Sequence, residues 1–257
     1  MKKENNFTEF KNKRILVTGA GAGIGKKTAY ELLKKNCEVI VLDKNINNLN
    51  TLSRQFKGKI VILNLDLKNS ENIQKTIGNK KFKKIDGIVH CAGSELISPI
   101  KNFDEKKFNE VFQVNTTSFL IIIKNLLKLK KMKKNSSIVL ISSILANVGS
   151  FFNSGYSASK SSLHGICKSL AIELSPNKMR VNCIAPGFVK TNMLKKVSKL
   201  FPESYIKELE KLHPLGLGNT IDISNLIIFL LSNKSKWITG SIINIDGGFS
   251  SKWRIIF

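Results

Sequence analysis

Short apolar runs alternate with longer amphipathic ones along the whole chain. The runs RILVT (14–18), EVIVLD (38–43), KIVILNL (59–65), IDGIVHCAG (85–93), SSIVLISS (136–143), RVNCIAPG (180–187) and SIINIDGG (241–248) are rich in Ile and Val and apolar at nearly every position. Such runs suit strands covered on both faces, as in a parallel sheet. Helical spacing of apolar residues fills the gaps, over 23–36, 45–56, 70–78, a long stretch at 104–132, then 154–175 and 220–233. Strand and helix in strict turn predict a doubly wound α/β architecture with a parallel seven-stranded sheet and right-handed crossovers. No repeat, low-complexity tract or proline-rich linker interrupts the pattern, so one domain spanning 1–257 is the simplest organisation.

Composition narrows the class. With 257 residues and 42% hydrophobic content the chain holds enough apolar surface for a sizeable core, which excludes disorder as its main state. The runs FLIII and LIIFLL fall far short of the roughly 20 residues a bilayer span needs, and the start MKKENNFTEF lacks an apolar signal core. A cytoplasmic protein without a membrane partner is expected. Cys37, Cys91, Cys167 and Cys183 are scattered, with no CxxC pair, and read as buried thiols in a reducing compartment rather than as disulfides or metal ligands.

The formal charge of +24 invites a nucleic-acid reading. All but four of the 42 basic residues are lysine, however, and the exceptions, Arg14, Arg54, Arg180 and Arg254, form no cluster. No aromatics interleave with the densest basic run, KLKKMKKN. Compositional drift toward Lys, Asn and Ile accounts for the charge better than a nucleic-acid partner does. Attraction to an anionic substrate or an acidic carrier protein stays open.

Directly after the first predicted strand, Gly19, Gly21, Gly23 and Gly25 crowd the point where a helix begins. Glycines allow the backbone to turn tightly against a pyrophosphate, and the new helix aims its free amides and positive dipole end at that anion. This is the dinucleotide-binding pattern of a Rossmann fold. Asp43 closes the second strand about 20 residues on, placed to accept hydrogen bonds from the adenosine ribose, which favours NAD. Lys44 follows and leaves NADP open. Asp66, after the third strand, either meets the adenine edge or caps the next helix.

In SGYSASKSSLHG, Tyr156 and Lys160 stand four residues apart, on one face if the segment is helical, among side chains too small to fill space. Alone the pair is weak evidence. Together with the glycine turn and Asp43, in that order, it resembles the short-chain dehydrogenase/reductase family over almost the whole chain. The family pattern TGxxxGxG is met by Thr18 to Gly25, NNAG by HCAG with Ala92 and Gly93 kept, the helix asparagine by Asn115 in VNTTS, and PG by Pro186 and Gly187. The family's serine thirteen residues before the tyrosine selects Ser143 over Ser142.

This resemblance implies a catalytic set of Ser143, Tyr156, Lys160 and Asn115. It implies cofactor contacts from Gly19, Gly21, Gly23, Ile24, Gly25, Asp43, Asp66, Leu67, Ala92, Gly93, Tyr156, Lys160, Pro186, Gly187, Val189 and Thr191. Lys160 would lower the phenol from its ordinary pKa of ~10 and hold the ribose, and Ser143 would hold the substrate oxygen. Asn115 would anchor a water between Lys160 and bulk. His90 and Cys91 stand where the family has asparagines, and His90 reads as structural.

The implied reaction interconverts a ketone and a secondary alcohol. In style the chain is nearest to 3-oxoacyl carrier-protein reductases, with a carrier- or CoA-linked substrate; sugar and small-alcohol dehydrogenases share the fold and the motif. Residues 94–100, 144–155 and a lid over about 188–216 would choose the substrate, with Phe151 and Phe152 as candidate walls of an apolar pocket. A homodimer or homotetramer is expected, built on the Asn115 and Tyr156 helices, with the tail WRIIF against a neighbour. A dinucleotide-binding regulatory or RNA-binding module would not need the Ser–Tyr–Lys–Asn set. A nucleotide-sugar epimerase would carry more chain after IDGG.

Overall fold

The computed structural model describes residues 9–79 and 82–251; the polar start and the WRIIF tail lie outside them. Its elements run β1 (Arg14–Thr18), α1 (Gly23–Lys34), β2 (Glu38–Asp43), α2 (Asn50–Gln55), β3 (Ile60–Asn64), α3 (Ser70–Gly78), β4 (Ile85–His90), α4 (Glu105–Phe112), α5 (Ser118–Lys128), β5 (Met132–Ile141), α6 (Ser154–Glu173), β6 (Arg180–Pro186), α7 (Asn192–Ser198), α8 (Tyr205–Leu212), α9 (Thr220–Leu231) and β7 (Ile242–Ile245). The seven strands lie in the order β3-β2-β1-β4-β5-β6-β7, and every pairing is parallel. Strand order reverses between β1 and β4, and ligands of such sheets bind in the crevice beyond the carboxyl ends at that point.

The strands are apolar throughout because each face carries its own core. Leu16, Ile40, Leu42, Ile88 and Leu140 point to a layer completed by Ile73 and Ile77 of α3, Phe119 and Ile122 of α5, and Leu163 and Leu170 of α6. Their strand neighbours Val17, Val39, Val41, Val89 and Val139 point the other way, onto Ala29, Leu32 and Leu33 of α1 and Ile223, Ile227 and Leu230 of α9. Each fully buried Ile or Leu contributes roughly 1.5–3 kcal/mol, so the two layers carry the fold.

The predicted helix over 104–132 is three pieces. Asp104 caps α4 by accepting from the Lys107 N–H at 3.0 Å. Gln113–Thr117 then widen into a π-helical turn that continues into α5. The helix stops at Lys128, because Lys130 takes a left-handed backbone (φ 52°) and Met132 already opens β5. Asn135 (φ 61°) and a register shift opposite Ile85 and Gly87 absorb the extra residues at the head of that strand. The predicted helix at 45–56 is shorter too, a 3₁₀ turn at Asn47–Leu49 followed by α2. Between β6 and α9, helices α7 and α8 close over a small apolar cluster of Leu194, Leu209 and Leu217, flanked by Phe188, Tyr205 and Ile206. Among the described residues no helix is long and apolar enough to cross a membrane.

Candidate active site

The glycine turn lies at the carboxyl end of β1 and fits a dinucleotide. Gly19 has φ +66°, and a Cβ there would come within 2.7 Å of the Ala92 backbone, so the turn and the segment after β4 touch only because Gly19 has no side chain. Gly23 (φ +52°) opens α1, whose N-cap Ala22 offers no side-chain hydrogen bond and whose first turn holds no acid. The amides that begin α1 are therefore available to an anion. Ile24 is partly buried against the apolar layer beneath α1. Asp43 is pinned: Oδ2 accepts from the Gly21 N–H at 2.8 Å and Oδ1 from the Asn45 N–H at 2.9 Å. Asp66 is exposed and accepts from the Lys68 N–H at 3.0 Å, while α3 is capped by Asn69 instead, which removes the alternative role for Asp66. Leu67 turns its side chain into the core, and its carbonyl accepts from Gln113 at 3.1 Å.

Across the crevice, α6 carries Tyr156 and Lys160 on one face. The Lys160 ammonium is buried, and Nζ donates to the Ile141 carbonyl at 2.8 Å. Burial pulls its pKa down to about 8. Tyr156 is half-buried, and burial pushes its phenol up to about 12; a hydrogen bond with the Ser143 side chain draws it back and the Glu95 charge adds a further push upward. The expectation that Lys160 would bring the phenol below its ordinary value is thus not met by the protein's own residues. Desolvation outweighs the Ser143 hydrogen bond. Glu95, unnoticed as a single residue in the sequence, is a charge that faces the phenol.

Ser143 lies two residues past β5 and caps the 3₁₀ turn that follows, accepting from the Leu145 N–H at 3.2 Å. Asn115 sits in the π-helical turn and is fully committed: Oδ1 accepts from the Ser94 N–H at 2.8 Å, and Nδ2 donates to the Ser94 carbonyl at 3.0 Å and to Ser159 Oγ at 2.9 Å. Its side chain braces the loop after β4 against α6. A Cβ on Gly93 would stand 3.1 Å from Lys160 Nζ and 3.3 Å from Asn115 Oδ1, which puts these two polar groups beside the same glycine.

The small residues around Tyr156 serve packing as much as space. A Cβ on Gly155 would meet Leu96 at 2.8 Å, and Thr116 Oγ1 donates to the Ser159 carbonyl at 2.8 Å. Close approach of α6 to Leu96 and Phe108 demands the glycine, and its bonds to the π-helical turn use the serines. His90 is fully buried and structural. Its Nδ1 lies 2.9 Å from Thr18 Oγ1, which accepts from the Ala92 N–H at 3.1 Å, and its Nε2 lies 3.3 Å from the Asn115 carbonyl. Burial holds this imidazole neutral, its pKa lowered to about 3. Cys37, Cys167 and Cys183 are buried as expected, whereas Cys91 is partly exposed, lying just past the end of β4 where the chain opens into the crevice. Pro186 ends β6, and Gly187, Val189 and Thr191 follow it; Val189 is buried, and Thr191 caps α7 and would lie 3.4 Å from a Cβ on Gly23. Glycine turn and PG segment thus meet across the crevice.

A family model described as Enoyl-(Acyl carrier protein) reductase, of the adh_short_C2 group, matches residues 19–250. The chain belongs to the short-chain dehydrogenase/reductase family. The 3-oxoacyl-[acyl-carrier-protein] reductase of Buchnera aphidicola subsp. Schizaphis graminum is 33% identical over 93% of this chain and 98% of its own length. A short-chain dehydrogenase family protein from Francisella tularensis superposes with a TM-score of 0.83 at 30% identity, covering 93% of this chain and 99% of that one. A structure described as ElxO with NADP bound does so at 0.81 and 29%, with the same coverage. This short-chain dehydrogenase/reductase is an NAD(P)-dependent oxidoreductase. Its departure from the family's NNAG pattern is accounted for by the buried His90, which ties β1 to the turn that carries Asn115.

Proposed function

We propose that the chain interconverts a ketone and a secondary alcohol, with Tyr156 as the general acid and base. The observation that carries this is a phenol and a serine hydroxyl converging beside a buried ammonium, at the carboxyl ends of β4 and β5. When bound, the nicotinamide gives or takes the hydride at the substrate carbon. Tyr156 donates its proton to the carbonyl oxygen in reduction and takes it back in oxidation, and Ser143 donates a hydrogen bond to the same oxygen. Lys160, with a pKa near 8, is mostly an ammonium at neutral pH and exchanges protons readily. A water anchored at Asn115 would link Lys160 to bulk, so that the ammonium recovers the proton that turnover draws from this site. Gly19, Gly21, Gly23, Ile24 and Gly25 would hold the pyrophosphate, Asp43 the ribose, Asp66 and the Leu67 backbone the adenine. Ala92, Gly93, Pro186, Gly187, Val189 and Thr191 would line the nicotinamide end.

The fixed carboxylate of Asp43 supports NAD over NADP. Both oxygens are held by backbone amides, so the charge cannot swing aside for a 2′-phosphate. Two unit charges 4 Å apart near a protein surface repel by about 4 kcal/mol. NADH is therefore expected to bind at least roughly tenfold tighter than NADPH, and Asp43→Ser to narrow or reverse that ratio with Lys44 beside it. Binding titrations of both reduced cofactors, watching nicotinamide fluorescence, check this; equal affinities in the wild type count against it.

The substrate side lies over the loops after β4 and β5. Phe152, Ile100, Pro99 and Val148 line an open pocket of about 590 Å³ beside Ser154 and Ser157 of α6, and Phe151 points away, 85% exposed. An apolar wall favours an acyl chain over a sugar, in keeping with a 3-oxoacyl thioester carried on CoA or a carrier protein. Residues 188–216 act as the lid, and exposed Leu120 on α5 and Ile172 on α6 are the faces on which a dimer or tetramer would form. A panel of 3-oxoacyl thioesters, enoyl thioesters, small ketones and aldoses, each with both reduced cofactors, tests the reading. Turnover of 3-oxoacyl thioesters supports it; reduction of enoyl thioesters alone would move the proton step from oxygen to carbon and overturn it.

A further inference from the structure

His213, one residue past α8, is 3% exposed and takes no part in the chemistry proposed above. Its ring touches three segments. Nδ1 lies 2.6 Å from the Leu209 carbonyl oxygen, and Nε2 lies 3.2 Å from the Phe188 amide nitrogen. A carbonyl only accepts and an amide N–H only donates, so Nδ1 carries the proton and Nε2 is bare. The faces and edges of the ring pack on Phe249 (centroids 4.8 Å apart) and Phe188 (5.6 Å). Gly187 makes room for this, since a Cβ there would come within 3.0 Å of Nε2 and 2.8 Å of the Asp246 backbone.

The Phe188 amide belongs to the stretch that leads from β6 to Thr191. Gly218 N–H donates to the Phe188 carbonyl at 3.0 Å and Lys190 N–H to the Gly218 carbonyl at 2.8 Å, so the backbone here is tied on both sides. Thr191 in turn borders Gly23 in the glycine turn. One imidazole therefore joins the lid helix α8 to the strip that faces the cofactor.

We propose that His213 is a positioning residue: it locks Pro186–Thr191 to α8, so that seating of the lid and grip on the nicotinamide end move together. This rests on the reading that Pro186–Thr191 meets the nicotinamide. His213→Phe keeps the aromatic packing and loses both hydrogen bonds; His213→Gln restores an acceptor for the Phe188 amide. The expected result is a Kd for the reduced cofactor roughly tenfold weaker in the Phe variant, recovered to within about threefold in the Gln variant. Nitrogen NMR of the wild type is expected to show His213 neutral with its proton on Nδ1, and hydrogen exchange at the Phe188 amide to quicken in the Phe variant while β1 amides hold.

Wild-type affinity in the Phe variant, or a proton found on Nε2, overturns the inference. Should the Phe variant not fold, exchange at the Phe188 amide of the wild type decides: added protection with reduced cofactor supports the latch, and unchanged exchange overturns it. Failure of the wild type to bind either cofactor would strike the reading of the site itself. Tight binding by the wild type and the Phe variant alike would strike His213 alone.

Discussion

Tyr156→Phe is expected to lower kcat by roughly 10²- to 10⁴-fold, the usual worth of a positioned acid or base, while leaving cofactor Kd nearly unchanged. The phenol sits where its hydroxyl reaches Ser143, and neither described neighbour replaces it as a proton donor: Ser143 is too weak an acid, and Lys160 Nζ is turned to the Ile141 carbonyl. Phenylalanine fills the same space, so Gly155 and Ser159 keep their contacts with Leu96 and Asn115 and the fold is preserved. Steady-state kinetics together with cofactor titration separate the two readouts. A loss of cofactor binding as large as the loss of kcat would show that the hydroxyl was holding the dinucleotide rather than moving a proton.

Lys160→Met is expected to divide activity from stability. Turnover falls by roughly 10²-fold or more, because the buried cation proposed to supply protons to this site is gone. Stability moves with pH in a defined sense. The folded pKa is lowered to about 8 from the ordinary 10.5, so between those values the unfolded chain binds more protons than the folded one and stability rises with pH. Below about pH 8 the folded wild type bears the full cost of a buried ammonium, roughly 3 kcal/mol at 1.36 kcal/mol per pKa unit. The stability of the Met variant relative to wild type is therefore greatest at pH 7 and declines by about that amount toward pH 10.5. Loss of the bond to the Ile141 carbonyl offsets it by a pH-independent ~1–3 kcal/mol. Urea unfolding of both proteins at several pH values checks this; a difference that does not change with pH refutes the buried-cation account.

The parts of this protein that are local in sequence were legible in it. Seven strands could be placed because Ile and Val fill both faces, and the glycine turn because Gly19 and Gly23 need left-handed backbone where a helix starts. The end of α5 was not legible, since Lys128, Lys130 and Lys131 are all good helix formers and only the left-handed Lys130 and the pairing of Met132 with Ile85 reveal the stop. Site residues could be named by spacing and resemblance, but their partners could not. Asn115 bracing Ser94 and Ser159, His90 joining Thr18 to the π-helical turn, and His213 under Phe188 depend on contacts between residues 21 to 72 positions apart. The sign of the shift at Tyr156 was beyond reach for the same reason. It depends on how deeply the hydroxyl is buried, which i and i+4 spacing does not report.

The polypeptide alone holds the Tyr156 phenol too high to ionise near neutral pH, and the positive ring of bound NAD⁺ would bring it down. Ultraviolet titration of phenolate, taken as wild type minus Tyr156→Phe, isolates this group from Tyr30 and Tyr205. The predicted result is an ionisation near 12 in the free protein that moves several units lower when NAD⁺ is bound. An ionisation that stays in place with NAD⁺ bound would contradict it.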